Sequence, residues 1–232
     1  MIDIHTHILP GIDDGSKNVL ETTKMLEAMK SFGVDKVVAT PHFYGEINSI
    51  ENFLDSRRAS YESIKEFVPD GMEIILGAEV FLDYELHKKD VRKLVIGNTD
   101  YLLLEMPYRR WEPWVYDEIF KISVTHNLEI IIAHLDRYID IVSSDNIKKL
   151  LKMGLKYQIN IDNLGGFMRK SNAINLMSGG SAHFIGSDCH NTQNRPPCMG
   201  KAINKIRSKL GEKYVEYYMS NAEKMLKNLS IN

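Results

Sequence analysis

Short apolar runs alternate along this chain with longer amphipathic stretches. The apolar runs predict seven strands, at Met1–Ile4, Lys36–Thr40, Glu73–Ala78, Tyr101–Leu104, Glu129–Ala133, Lys156–Ile161 and Ala182–Gly186. The amphipathic stretches predict seven helices, at Val19–Phe32, Ile50–Glu66, Pro113–His126, Asp145–Lys152, Asn172–Ser178, Lys201–Leu210 and Lys213–Leu226. Asn18, with Glu21 three residues further on, has the spacing of an N-cap at the start of the first helix.

Several predicted strands are apolar throughout rather than alternating, for example at Val37–Ala39, Ile74–Leu76 and Ile130–Ile132. Such runs are typical of strands buried on both faces, in a parallel sheet covered by helices. Seven strand–helix units, with no linker or low-complexity segment between them, predict one domain over residues 1–232. The expected architecture is an α/β fold of the (β/α)7 barrel type, one strand short of the usual eight, and an open doubly wound sheet is the alternative.

Residues with reactive side chains stand at the carboxyl ends of the predicted strands. In strand order they are His5 and His7, with Asp13 and Asp14 in the next loop, then His42, Glu79, Glu105, His134, Asn160 with Asp162, and finally Asp188 with His190. In a parallel barrel the strand ends meet at one face, so these side chains are expected to converge. Because converging imidazoles and carboxylates are typical ligands of divalent metals, the sequence predicts a metal centre. His87, His126 and His183 lie elsewhere and are interpreted as structural histidines.

Composition and charge narrow the function classes. The chain has 232 residues and a formal net charge of −2, which argues against a surface for nucleic acid or for anionic membrane. No apolar run approaches the roughly 18–20 residues of a membrane span, and no signal peptide is recognised at the N-terminus. The two cysteines, Cys189 and Cys198, are too few for a disulfide scaffold, so a reduced cytoplasmic location is expected.

Two stretches carry a family resemblance. Met1–Gly15 reads Met-Ile-Asp-Ile-His-x-His-Ile-Leu-Pro-x-x-Asp-Asp-Gly, and Tyr101–Pro107 reads Tyr-Leu-Leu-Leu-Glu-x-Pro. Together with Thr-Pro-His, Gly-x-Glu, Ala-His-x-x-Arg and Ser-Asp-x-His, they resemble the PHP (polymerase and histidinol phosphatase) superfamily. The chain is similar, from residue 1 to about residue 225, to the bacterial protein tyrosine phosphatases of capsule and exopolysaccharide operons, the CpsB/CapC family.

The resemblance implies a PHP-type distorted barrel with three divalent metals at the carboxyl ends of the strands. Matched position by position, the ligand sets are His5, His7, Glu79 and Asp188; Glu79, Glu105 and His134; and Asp14, His42 and His190, with Glu79 bridging two metals. The family typically uses Mn2+, and Fe or Zn would suit the same mixed ligands. This chain departs from the family within Ala133–Arg137, where Leu-Asp replaces the usual Pro-Glu, and at Cys189, which replaces alanine.

The implied chemistry is hydrolysis of a phosphomonoester. A cluster of divalent metals lowers the pKa of a bridging water, and the resulting hydroxide attacks phosphorus while the metals neutralise the phosphate oxygens. Arg137 and Arg195 closely follow expected ligands, and a planar guanidinium suits phosphate recognition. Asp136 is a further catalytic candidate, and whether it acts as a general acid is left open. Loop aromatic residues form either a wall for a phenyl ring or part of the core: Phe43, Tyr44, Tyr108, Trp111 and Trp114.

Cys189 and Arg195 also fit Cys-x5-Arg, the thiolate signature of the unrelated cysteine-dependent tyrosine phosphatases. That signature requires a phosphate-binding loop that opens a helix, whereas Pro196 and Pro197 follow here. The loop also carries the expected ligand His190. Cys189 is therefore not expected to be the nucleophile.

The predicted function is metal-dependent hydrolysis of phosphotyrosine in protein. By resemblance, the substrate is the tail of a cytoplasmic tyrosine autokinase that controls polysaccharide export. Two alternatives stay open at the level of sequence. One is a small-molecule phosphatase of the same fold, such as a histidinol phosphatase, and the other is a non-catalytic, metal-bound module that docks on a kinase.

Overall fold

The structure, a computed structural model, describes residues 1–165 and 169–231. These residues form nine strands: β1 (Ile2–Thr6), β2 (Lys36–Ala39), β3 (His42–Phe43), β4 (Glu73–Leu76), β5 (Glu79–Phe81), β6 (Tyr101–Glu105), β7 (Glu129–Ile132), β8 (Lys156–Asn160) and β9 (Phe184–Gly186). Each of the seven predicted strands is present, but two of them are followed by a short extra strand. Pro41, which has no N–H to donate, separates β2 from β3, and Gly77 and Ala78 separate β4 from β5.

The described residues also form eight α-helices: α1 (Val19–Ser31), α2 (Ile50–Ile64), α3 (Pro113–His126), α4 (Leu135–Tyr138), α5 (Ser144–Leu151), α6 (Arg169–Ser178), α7 (Met199–Leu210) and α8 (Glu212–Leu226). The seven predicted helices correspond to all of these except α4, a single turn that directly follows β7. The predicted N-cap is confirmed, because the Asn18 side chain accepts a hydrogen bond from the main-chain N–H of Glu21.

Each strand pair in the described ranges is parallel. The hydrogen-bonded order is β1-β2-β4 in one sheet and β3-β5-β6-β7-β8-β9 in the other. Beyond β9, Asp188 N donates to His5 O at 2.8 Å and His7 N donates to Cys189 O at 2.9 Å. These bonds join the two ends of the strand order, so the parallel sheet is curled and the strand ends converge. The open doubly wound alternative does not account for them.

Apolar side chains fill both sides of the curled sheet. One cluster lies inside the curl and includes Ile4, Val38, Leu103 and Ile131, whereas the larger cluster lies between the strands and the helices. The expectation that all continuous apolar strands are buried on both faces is wrong for β4, whose last three residues are only partly buried. The crossover from β5 to β6 explains this exposure, because it contains short 3-10 turns at Leu86–Lys88 and Val91–Leu94 in place of an α-helix.

Candidate active site

The nine residues predicted as metal ligands lie together at the carboxyl ends of the strands. They are His5, His7, Asp14, His42, Glu79, Glu105, His134, Asp188 and His190. Within the described residues, eight of them form three overlapping groups, and the candidate ligand atoms of each group lie within 4.8 Å of one another. β1 extends to Thr6, so His5 belongs to the strand itself rather than following it as predicted.

The first group joins the two ends of the strand order. Glu79 Oε2 lies 3.0 Å from His5 Nε2 and 3.2 Å from His7 Nε2. Asp188 Oδ1 lies 3.3 Å from His7 Nε2 and 3.6 Å from His5 Nε2. All four side chains are buried, and the group has the same members as the first ligand set that the family resemblance implied.

The second group consists of His42, Glu79 and Glu105, and His134, the ninth predicted ligand, lies beside it. His134 Nε2 lies 2.7 Å from Glu79 Oε1 and 3.6 Å from Glu105 Oε1. From the other side, His42 Nδ1 lies 3.2 Å from Glu79 Oε2 and 3.7 Å from Glu105 Oε2. The resemblance assigned His42 to the third set alone, whereas the structure places its ring between the second and third groups.

The third group stands at the solvent side of the cluster. Asp14 Oδ1 lies 3.4 Å from His190 Nε2 and 3.5 Å from His42 Nε2, and the Asp14 side chain is 68% exposed. His7 joins these three residues, because its ring centroid is 3.9 Å from that of His190 and 4.5 Å from that of His42. The site therefore opens to solvent beside Asp14.

The loop after β1 orients His7 through Asp13, which the sequence placed among the converging strand-end residues but assigned to none of the three ligand sets. Asp13 Oδ2 lies 2.7 Å from His7 Nδ1 and accepts a hydrogen bond from His42 N at 3.0 Å. Its other oxygen accepts from Gly15 N at 2.9 Å. A Cβ at Gly15 would lie 2.3 Å from His7 O, so only glycine fits there. The available signal was an aspartate two residues before a glycine, a spacing typical of an Asx-turn.

Two amide side chains of β8 form a second orienting network: Asn160, which the sequence placed at a strand end, and Gln158, which sequence reasoning missed. Gln158 Oε1 accepts a hydrogen bond from His134 N at 2.8 Å and lies 3.2 Å from His5 Nδ1. Gln158 Nε2 donates to Asn160 Oδ1 at 2.9 Å, and Asn160 Nδ2 donates to Asp188 Oδ2 at 2.6 Å. Since Gln158 Oε1 can only accept, His5 must carry its proton on Nδ1, which leaves the Nε2 lone pair for a metal.

Two ligand-bearing residues have strained backbones. The φ angles of His134 and Asp188 are 33° and 53°, in the left-handed region that non-glycine residues rarely adopt. Such strain is typical of functional sites, where the surrounding structure holds a residue in place for its side chain. Main-chain bonds hold both residues here: His134 N donates to Gln158, and Asp188 N donates to His5 O.

The electrostatics of the cluster favour positive charge. Burial alone would lower the pKa of His5, but Glu79 and Asp188 outweigh it and raise the pKa above its usual value. Burial and the adjacent Glu79 raise the pKa of Glu105 to about 8. Burial lowers the pKa of His134 to about 4, so this ring is neutral and able to act as a ligand near pH 7.

The residues present fit divalent metals. His5 Nε2 and His7 Nε2 face each other at 3.2 Å, an arrangement in which both lone pairs can point at one cation. His42 Nδ1 is buried and lacks a hydrogen-bond partner among the described residues, although it points at two carboxylates. A mixed set of imidazole and carboxylate donors suits Mn2+, Fe2+ or Zn2+.

Both predicted phosphate-binding arginines contact one metal-ligand candidate. Arg137 Nη2 and Arg195 Nη2 each pair with Asp188 Oδ2, the second of these at 2.5 Å. Arg195 Nη1 also lies 2.7 Å from His190 Nε2. The two guanidinium groups therefore border the ligand cluster. Asp136 belongs to none of the three ligand groups, is buried, and accepts a hydrogen bond from Asn160 N at 2.9 Å.

The five candidate aromatic residues divide between the core and the site. Phe43 and Trp111 are buried in the core. Tyr108, in contrast, is 44% exposed, and its hydroxyl lies 3.4 Å from His134 Nδ1. The Tyr44 ring lies against that of His42 in a tilted arrangement with 5.4 Å between the ring centroids. Trp114 packs edge-on against Tyr84. Only some of the predicted wall can therefore meet a substrate.

Cys189 is an unsuitable nucleophile in this structure. Its side chain is completely buried. Burial, together with the charge of Asp3, raises the pKa of the Cys189 thiol well above its usual value, which disfavours the reactive thiolate.

The three structural histidines have partners outside the cluster. His87 Nδ1 lies 2.7 Å from Glu118 Oε1, and His126 Nε2 lies 2.9 Å from His87 O. His183 Nδ1 accepts a hydrogen bond from Tyr157 N at 3.2 Å.

Comparison with known proteins identifies the class to which this fold and site belong. Residues 1–227 match the family described as "Capsular polysaccharide synthesis, CpsB/CapC". The chain belongs to this family, and the resemblance drawn from its sequence motifs is confirmed. None of the helices in the described ranges has the length and apolar character needed to cross a membrane.

Individual relatives are similar along almost their whole length. The chain is 28% identical to tyrosine-protein phosphatase YwqE of Bacillus subtilis, over 100% of this chain and 93% of YwqE. It is 29% identical to tyrosine-protein phosphatase CpsB of Streptococcus pneumoniae, over 97% of this chain and 98% of CpsB.

Solved structures match the fold. A chain from the crystal structures of YwqE and CpsB, described as metal-dependent tyrosine phosphatases, superposes with a TM-score of 0.87 at 24% identity, covering 100% of this chain and 96% of that one. An organophosphorus hydrolase of Deinococcus radiodurans shares the fold more distantly, with a TM-score of 0.58 at 13% identity and coverage of 97% and 91%.

Proposed function

We propose that this protein is a metal-dependent phosphatase that hydrolyses phosphotyrosine in protein. The observation that carries the proposal is the meeting of three overlapping ligand groups, two of which share Glu79, beside two guanidinium groups. In this proposal one (β/α)7 barrel domain over residues 1–232 holds three divalent metals, most suitably Mn2+, at the carboxyl ends of its strands. When bound, such cations supply a nucleophilic water at neutral pH and neutralise phosphate oxygens.

The side chains around the ligands take separate roles. Arg137 and Arg195 donate their planar forks to the phosphate oxygens, since a phosphomonoester is close to a dianion near pH 7 and arginine suits its geometry. Burial lowers the pKa of Arg137, but the charge of Asp188 outweighs it and keeps this guanidinium fully charged. Both arginines lie next to Asp188 and so stand at the edge of the metal centre.

A phenol leaving group reduces the need for a general acid. A tyrosine phenol has a pKa of about 10, so its departure requires less help from a general acid than that of an alkyl alcohol. The contact of Asp136 with the main chain of Asn160 fits a positioning role, because Asn160 in turn holds Asp188. We therefore assign Asp136 to orientation of the site.

A groove of about 390 Å³ beside the cluster suits an aromatic substrate group. Its walls include Phe81, Tyr84, Tyr108 and Trp114, and Tyr108 also contacts His134. An aromatic ring bound here would bury apolar surface against these side chains. The aromatic part of this wall suits the phenyl ring of a phosphotyrosyl side chain, whereas Glu46 and Asp83 in the same lining would suit the amine of histidinol phosphate, so both substrates have to be assayed.

The family and its named relatives support a place in polysaccharide synthesis. YwqE and CpsB are named tyrosine-protein phosphatases, and the family name refers to capsular polysaccharide synthesis. By this analogy we propose a cytoplasmic protein whose substrate is the tail of a tyrosine autokinase that regulates polysaccharide export.

A side-by-side assay tests the proposed function. Metal-loaded protein is assayed against a phosphotyrosyl peptide and against histidinol phosphate, with phosphate release as the measurement. The proposal predicts a higher kcat/KM for the peptide. A higher value for histidinol phosphate would favour the small-molecule phosphatase, and binding of the peptide without turnover would favour the docking module.

A further inference from the structure

A second cavity lies away from the metal centre, on the outer face of the sheet. It has a volume of about 690 Å³ and opens between α2 and the 3-10 turn Val91–Leu94. The crossover from β5 to β6 lacks an α-helix in the described residues, so the layer that covers β4 is thin at this point. The cavity is a consequence of that local topology.

The charged residues that line this cavity are all cationic. They are Arg57 and Arg58 on α2, with Arg92 and Lys93 on the facing turn. Two of them already hold carboxylates: Arg92 pairs with Asp100, and Lys93 Nζ lies 3.2 Å from Asp90 Oδ2. Within the described ranges, Arg57 and Arg58 form no ion pair, and neither an aspartate nor a glutamate is part of the lining.

Arg57 is a partly buried cation that lacks a counterion. Its Nη1 donates to Gly77 O at 2.5 Å, and its Nε is buried with no hydrogen-bond partner in the described part of the chain. Burial and the neighbouring charge of Arg58 lower the pKa of Arg57 to about 10. Removing a charge from water without an opposite charge is unfavourable, so an anion at this position would stabilise the side chain.

The remaining lining indicates the kind of anion. Leu54, Leu76 and Val95 contribute apolar surface next to the arginines. The cavity volume of about 690 Å³ lies within the range of about 300–1,000 Å³ that is usual for small-molecule sites. A single phosphate group would fill only part of it. Guanidinium forks bind phosphate through paired, charge-assisted hydrogen bonds.

We infer that this cavity is a binding site for a small organic phosphate, with its phosphate on Arg57 and Arg58 and its apolar part against Leu54 and Leu76. The site uses residues that the metal centre does not use. Its ligand is therefore recognised by a phosphate group and an attached apolar group, without any metal.

Nuclear magnetic resonance separates this site from the metal centre. The protein is loaded with Zn2+, which is diamagnetic, and titrated with inorganic phosphate and with phenylphosphonate, a non-hydrolysable aryl analogue. We expect saturable chemical-shift changes of the Gly97 and Thr99 amides, which line the cavity. These changes should occur whether or not phosphate also binds at the metal centre and shifts the amide of His190. Phenylphosphonate should bind there several-fold more tightly than inorganic phosphate.

Three variants sharpen the test. Arg58→Ser alters an exposed side chain, so the protein should fold, and it should weaken phenylphosphonate binding at the cavity by about tenfold or more. Arg57→Lys keeps the charge but loses the fork and should also weaken binding. Arg110→Ser removes an exposed arginine elsewhere and should leave the affinity unchanged.

Each contrary result overturns the inference. No shift at Gly97 and Thr99 would show that the cavity binds no phosphate. Equal affinity in Arg58→Ser and the parent would show that the arginines do not form the site. Equal affinity for the two probes would exclude an organic phosphate as its ligand class.

Discussion

Gln158 accepts a hydrogen bond from the main-chain N–H of His134 at 2.8 Å, and this bond sets the polarity of the network behind the metal centre. A peptide N–H can only donate, so the Gln158 carbonyl must face His134 and its amide nitrogen must face Asn160. The same carbonyl fixes the His5 tautomer. One amide therefore orients ligands from three strands: His5, His134 and, through Asn160, Asp188.

Replacing Gln158 by leucine should weaken metal binding by about 10- to 100-fold, the range typical for loss of a partner that orients a metal ligand. The His134 N–H would also lose its acceptor, so the free energy of unfolding should fall by about 1–3 kcal/mol. Metal titration and chemical denaturation measure the two effects. Gln193→Leu, at an exposed loop position, is the matched control. Parent-like metal affinity in Gln158→Leu would show that the network does not orient the ligands.

Glu79→Gln should lose metal and with it most of kcat, because an amide lacks the charge and the lone pairs needed to bridge two cations. Metal content by elemental analysis and kcat for a phosphotyrosyl peptide are the measurements. Glu118→Gln is the matched control, since Glu118 is also a buried glutamate next to a histidine but lies outside the ligand cluster. Full metal content in Glu79→Gln would contradict the bridging role.

Arg195→Ala should keep full metal occupancy and reduce kcat/KM by roughly 10- to 1,000-fold, as expected for loss of one or two charge-assisted contacts of about 1.5–3 kcal/mol each. Lysine at the same position should rescue activity only partly, because it keeps the charge and loses the fork. Inorganic phosphate should inhibit the alanine variant more weakly than the parent. Equal inhibition of both proteins would leave Arg137 as the remaining phosphate ligand.

His183 should make folding stability depend on pH. Burial and the nearby charge of Lys156 lower the pKa of His183 from 6.5 to about 4 in the folded protein. The unfolded chain therefore binds more protons at this ring between those values, so its stabilising contribution is present above pH 6.5 and is lost as the pH falls towards 4.

The His183→Gln variant isolates this contribution. Between pH 6.5 and 4.5, the unfolding free energy of this variant should fall by about 1–2 kcal/mol less than that of the parent, which is below the full value of the pKa shift because the ring is only partly buried and solvent screens it. Denaturant titration at each pH measures the difference. His126→Gln, at a helix end, provides a histidine control. Identical pH profiles for the parent and His183→Gln would show that the ring titrates normally when folded.

The sequence was most informative where chemistry and strand position coincide. His5 and His7 at the end of an apolar run, and Glu79, Glu105 and His134 at the ends of later runs, could be brought together by one rule, that parallel strands end at one face. Hydrophobic periodicity similarly predicted the seven longer helices. These features depend on local pattern and on a general property of parallel sheets.

What the sequence did not reveal depends on the curl of the sheet. In the sequence, Gln158 and Asn160 alternate with Tyr157 and Ile159, a pattern that is typical of any half-exposed strand. Only the closure of β9 onto β1 brings their amides into contact with the ligand residues His134 and Asp188. The sharing of His42 between two ligand groups likewise depends on how the strands are brought together. Distances between side chains on different strands are not encoded in a periodic pattern.

The most direct test of the account is whether turnover depends on metal and not on a thiol. Phosphate release from a phosphotyrosyl peptide is measured for the parent and for Cys189→Ser, each after chelation and again after addition of Mn2+. Both proteins should be inactive when chelated and recover when Mn2+ is restored, because the Cys189 thiol is buried away from the substrate. Turnover by the chelated parent, or an inactive Cys189→Ser protein that binds metal normally, would contradict the assignment of catalysis to the metal centre.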